Sequence, residues 1–135
     1  MYVVLGATGN TGSVIANSLL FKGEKVRVVG RDAARLERFV RKGAEAFAAN
    51  VNDAAALTQA FAGARAAYLM LPPSMTSQDY RADQERESDA IAKAVKESGL
   101  HYAVNLSSYG GHVPKAPGRL RGCTLRNKNS TRLAA

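Results

Sequence analysis

Tryptophan is absent and cysteine occurs once, at Cys123, so no intramolecular disulfide can form. The two histidines, His101 and His112, with that single thiol do not make the usual four-ligand metal set, and no metal is expected. No apolar run approaches the roughly 20 residues needed to cross a bilayer, and no basic segment precedes an apolar stretch at the N-terminus. These absences point to a reducing, cytoplasmic setting and away from a membrane partner.

Acid is missing from only one part of the chain. Residues 1–114 hold 13 Lys and Arg against 11 Asp and Glu, whereas residues 115–135 hold six basic residues and no acid, so the formal charge of +8 is mostly a property of the tail. A basic tail attracts phosphate backbones without discrimination. This one has no aromatic side chain to stack on bases, so a solvated end is expected and no specific nucleic-acid partner.

What is present fits one domain: 135 residues, 46% of them hydrophobic. Strand-like runs at 2–5, 26–29, 44–48, 66–71 and 102–106 alternate with segments whose apolar residues are spaced by three and four, such as Leu36, Phe39 and Val40. Gly23, Gly43, Gly63 and Gly99 fall where helices should end, and Asp32 and Asp53 fall where they should begin. Parallel strands need crossover connections, so this alternation predicts a doubly wound α/β domain with a parallel sheet of about five strands.

The first strand runs straight into GATGNTG, residues 6–12. In a doubly wound sheet ligands bind beyond the C-terminal strand ends, where the strand order reverses, and the first strand-to-helix turn lies there. Gly6 is expected to make the tight turn, Gly9 to admit a pyrophosphate close to the backbone, and Gly12 to let the helix pack closely. Thr8, Asn10 and Thr11 add small hydrogen-bonding side chains, and the helix N-terminus favours anionic phosphates. The spacing is G-x-x-G-x-x-G, and its position after the first strand makes it a candidate dinucleotide site.

The second strand ends at Gly30-Arg31-Asp32. A guanidinium here suits a ribose 2′-phosphate, which favours NADP (NADPH) over NAD. Two alternatives stay open: Arg31 is a solvated residue before a helix, or Asp32 reads the ribose instead of capping that helix.

The stretches MYVVLGATGNTGSVIANSLLFKGEKVRVVGRD, GAEAFAANVNDAAALTQAFAGARAAYLMLPP and NLSSYGGHVP resemble the NmrA-like group of atypical short-chain dehydrogenases, over about residues 1–114. The resemblance implies an NAD(P)-binding Rossmann fold, with Asn50 and Val51 along the adenine and Leu71 and Pro72 under the ribose and nicotinamide side. It also implies either an NADPH-dependent quinone reductase or a cofactor-sensing regulator.

Many short-chain dehydrogenases use a Tyr with a Lys four residues on to pass a proton. None of Tyr2, Tyr68, Tyr80, Tyr102 and Tyr109 has that Lys. Hydride transfer to a quinone asks less of the protein, because the cofactor carries the chemistry and the site orients the acceptor. Ser107, Ser108 and Tyr109 follow the last strand and are candidates for acceptor contact, or for a strand-end turn held by Ser hydroxyls. The charged segment 78–97, with Asp89, Lys93 and Glu97 at helical spacing, reads as a solvated helix face.

Residues 115–135 depart from the family, which continues for well over a hundred residues. A shifted reading frame is one source of such a tail, and it would make the basic arm and Cys123 incidental. Three functional classes remain open from sequence: an NADPH-dependent reductase, a non-catalytic NAD(P) sensor, and a truncated product that keeps cofactor binding. Missing elements would leave apolar surface exposed, which predicts either poor solubility or self-association into a homo-oligomer.

Overall fold

The computed structural model describes residues 1–71 and 78–106. Five strands alternate with four helices: β1 (Tyr2–Leu5), α1 (Asn10–Phe21), β2 (Val26–Gly30), α2 (Ala33–Val40), β3 (Glu45–Ala48), α3 (Ala54–Phe61), β4 (Ala66–Leu69), α4 (Tyr80–Ser98) and β5 (Tyr102–Asn105). All strand pairs are parallel and the order is β3-β2-β1-β4-β5. This is the doubly wound Rossmann arrangement expected from the sequence. Strand order reverses at β1, which pairs β2 on one side and β4 on the other.

The central strand explains the two-layer core. Successive side chains of a strand face opposite ways, so Val3 and Leu5 enter a cluster with Leu57, Phe61, Ile91 and Val95 of α3 and α4. Val4 enters a second cluster with Ala16, Leu36 and Phe39 of α1 and α2. Leu36, Phe39, Leu57 and Phe61 are essentially fully buried, each contributing about 1.5–3 kcal/mol of transfer free energy.

The helix starts follow local chemistry. Asp32 Oδ1 accepts from the Ala34 N–H at 2.9 Å, and Asp53 Oδ1 from the Ala56 N–H at 3.1 Å, so both act as N-caps. Asp79 does the same for α4, accepting from Ala82 N–H at 3.0 Å. Strand β4 is shorter than its apolar run suggests and stops at Leu69. Beyond it Met70 lies against Gly6, and Leu71 turns into the α3/α4 core at 8% exposure.

Helix α4 combines the solvated face expected from its charges with an inner face. Lys93 and Glu97 pair at 3.9 Å in solvent, while Ile91, Ala94 and Val95 are buried together with Gln84 and Ser88. At the outer strand, Tyr102 and Val104 are 70% and 67% exposed. No described helix is long and apolar enough to cross a membrane. Among the described residues, no three His, Cys, Asp or Glu side chains come together as a metal site.

Candidate functional site

The corner between β1 and α1 is built from backbone. Gly6 takes φ +66°, where a side chain is strained, and its N–H donates to Val29 O at 3.3 Å, tying the turn to β2. The Gly9 N–H then donates to Gly6 O at 2.9 Å, and the Ser13 N–H makes the first helical bond, to Gly9 O at 3.0 Å. Gly12 is buried against this turn. A Cβ there would overlap Gly6 O and stand 2.8 Å from Gly6 C, so the first turn of α1 presses on the loop's own backbone.

The end of α1 differs from the other helix starts. Its cap, Gly9, makes no side-chain hydrogen bond, whereas Asp32, Asp53 and Asp79 cap the other three. By helix geometry the N–H groups of Asn10, Thr11 and Gly12 precede the first intrahelical donor, Ser13, and need an outside acceptor. Gly9, Asn10 and Thr11 are exposed and Thr8 is partly so. An anion at this end gains from both the free donors and the helix dipole. A diphosphate fits a cradle of this kind, since adding side chains at Gly9 or Gly12 would crowd the turn that forms it.

Other expected site residues gather at the same edge, because each follows a strand. Arg31 is exposed immediately after β2. Asp32 Oδ1 is engaged as the α2 cap. Beyond β3, the Asn50 carbonyl accepts from Asp53 N–H at 3.0 Å and its side chain from Asn52 N–H at 3.4 Å, holding a short turn beside the partly exposed Val51. Leu71, beyond β4, has its side chain in the core. Pro72, Ser107, Ser108 and Tyr109 lie outside the described residues, as does the tail with Cys123.

Two residues join the site that pattern reading did not find. Met70 fills the space beside Gly6 at the reversal point, so a Cβ on Gly6 would collide with Met70 Sδ and sit 2.9 Å from its Cγ. Glu87, on α4, is half-buried. Its burial, then Asp83, raises its pKa above the ordinary carboxylate value, against the opposing positive charges of Arg31 and Arg86. Arg31 therefore acts electrostatically across the sheet edge on α4. The only sequence signal for this was the Asp83, Glu87 spacing near the start of the helix.

That shift has a defined pH signature. A carboxyl whose pKa is raised by folding favours the folded state when protonated; this contribution is complete below the unfolded pKa and is lost as pH rises through the folded one. Glu87→Gln removes the buried charge, so it is expected to stabilise the protein at pH 7. The difference from wild type should vanish on acidification below the usual carboxylate range. Urea midpoints across a pH series check this.

Comparison with known proteins agrees with the corner. Residues 6–129 match the NAD(P)H-binding protein family, and the chain belongs to it. This bears out the NmrA-like resemblance. The sequence is 33% identical over 93 residues to the oxidoreductase ordB of Dothistroma septosporum, covering 63% of this chain and 35% of that protein. The fold is similar to that of a triphenylmethane reductase from Citrobacter sp., with a TM-score of 0.84 at 17% identity over 97% of this chain and 45% of that one. It is also similar to an NADPH-dependent quinone oxidoreductase from Escherichia coli complexed with NADPH, with a TM-score of 0.73 at 22% identity, covering 99% and 44% of the two chains. The chain thus spans less than half the length of each of these relatives.

Proposed function

We propose that this chain binds NADPH in preference to NADH and serves reduction of a quinone or similar small carbonyl acceptor. The observation that carries the reading is the uncapped, acid-free start of α1 above a turn that only glycine fits. In this reading the N–H groups of residues 10–12 hold the diphosphate, with Gly6, Thr8 and Gly9 shaping the turn. Arg31 pairs with the ribose 2′-phosphate, and Asn50 and Val51 border the adenine. Leu71 and Pro72 carry the chain under the ribose and nicotinamide side, and Ser107, Ser108 and Tyr109 meet the acceptor. The dinucleotide, when bound, supplies the hydride. Residues 1–114 form the cofactor domain, with 115–135 a basic extension. Support for the acceptor class comes from the quinone and dye reductases of similar fold.

A second reading is a non-catalytic NAD(P) sensor. The lack of a Tyr-x-x-x-Lys pair is compatible with this reading as well as with the reductase.

Paired titrations with NADPH and NADH test the cofactor role. Wild type should bind NADPH about tenfold or more tightly, the value of one charge-assisted contact to the extra phosphate. Arg31→Ala should remove the preference while leaving NADH affinity unchanged. Equal affinities in wild type would refute the phosphate role. Oxidation of NADPH with small quinones then separates reductase from sensor.

A further inference from the structure

At the strand-order reversal, Met70 and Leu71 leave β4 toward opposite faces of the sheet. Strand β4 ends at Leu69, whose carbonyl accepts from the Leu106 N–H at 2.9 Å. Leu71 enters the α3/α4 core, whereas Met70, like Tyr68 two residues before it, falls on the α1 side. There it is partly buried against the cluster that holds Val4, Ala7 and Ala16.

The Met70 side chain ends on Gly6. The three atoms nearest to a Cβ placed on Gly6 all belong to it: Sδ, which that Cβ would overlap, Cγ at 2.9 Å and Cε at 3.5 Å. From its other side Gly6 bears on α1, since its carbonyl accepts from the Gly9 N–H at 2.9 Å and occupies the space of a Gly12 Cβ. Met70, Gly6 and Gly12 thus form one stack that runs from the end of β4, through the turn, to the first turn of α1. The tie from the Gly6 N–H to Val29 O, at 3.3 Å, is long for such a bond, so packing has to supply much of the hold on this turn. An unbranched, flexible thioether suits the irregular gap over a glycine.

We infer that Met70 is a positioning residue for the dinucleotide, an inference that rests on the cofactor reading given above. Its side chain bears on Gly6 and keeps the turn seated against Gly12, so that the N–H groups of residues 10–12 converge on one anion. A shorter side chain at position 70 leaves a void over Gly6, into which the turn relaxes away from α1. The donors then spread. Because Met70 acts through backbone that meets the part common to both dinucleotides, it governs affinity for the diphosphate and not the choice between NADPH and NADH. That separates it from Arg31, whose proposed contact is the extra phosphate alone.

The test is calorimetric titration of the full chain with NADPH and with NADH, well below the melt, for wild type, Met70→Leu, Met70→Val and Met70→Ala. Met70→Leu, nearly equal in volume, should keep wild-type affinity within about twofold. Met70→Val and Met70→Ala should lose affinity in that order, reaching about tenfold for alanine, the value of one charge-assisted hydrogen bond, and by the same factor for both dinucleotides. Where Met70→Ala is too unstable to titrate, Met70→Val carries the comparison. Unchanged affinity in Met70→Val and Met70→Ala would overturn the inference and leave the cofactor reading intact. So would a loss in Met70→Leu equal to that in Met70→Ala, or a loss for one dinucleotide only. Wild type that binds neither dinucleotide would sink the cofactor reading and this inference with it.

Discussion

Gly12→Ala is expected to lower dinucleotide affinity about a hundredfold, the value of two charge-assisted hydrogen bonds. The added methyl would overlap Gly6 O and sit 3.1 Å from Ala7 Cα, both backbone groups that cannot swing aside as a side chain can. The first turn of α1 must then lift from the loop, and its N–H groups no longer converge. The same displacement should cost about 1–3 kcal/mol of stability, as overpacking does elsewhere. Calorimetric titration with NADPH and a parallel urea melt separate the two effects. Loss of stability with affinity intact would mean that the helix start does not hold the ligand.

Arg27→Ala should be the most damaging single change away from the site. Arg27 lies on β2 with a side chain only 14% exposed, and its Nη1 donates to Ala60 O at 2.6 Å and to Gln59 O and Ala62 O at 3.4 Å. These carbonyls end α3, so the guanidinium acts as a C-cap supplied from the sheet. It also pairs with Glu45 at 3.2 Å and lies 5.9 Å from the centre of the Phe47 ring. Truncation leaves carbonyls short of a donor and a carboxylate without its cation, a loss of about 2–4 kcal/mol. For a domain of this size that is a fall in melting temperature of roughly 10 °C or more. Cofactor affinity, measured below the melt, should not change, because Arg27 sits in the N-terminal half of β2.

Features written in local chemistry were legible in the sequence. The β1 corner, the Asp32 and Asp53 caps and the alternation of strands and helices depend on residues a few positions apart, and the structure has them where the sequence places them. Features fixed by distant neighbours were not. The apolar run through Met70 and Leu71 reads as strand, yet Gly6 draws Met70 over the corner and the α3/α4 core takes Leu71. Gln84 and Ser88 have polar side chains, which concealed that they share the inner face of α4 with Ile91 and Val95. Likewise no pattern along β2 distinguishes Arg27 from an ordinary exposed strand residue. Its role exists only because α3 ends above it.

Amide shift mapping of the isotope-labelled chain during titration with NADPH tests the central claim most directly. Saturable changes centred on residues 6–13, where the bare donors of α1 begin, are the predicted result. Saturation by the cofactor with these amides unmoved, or no binding at all, would contradict it.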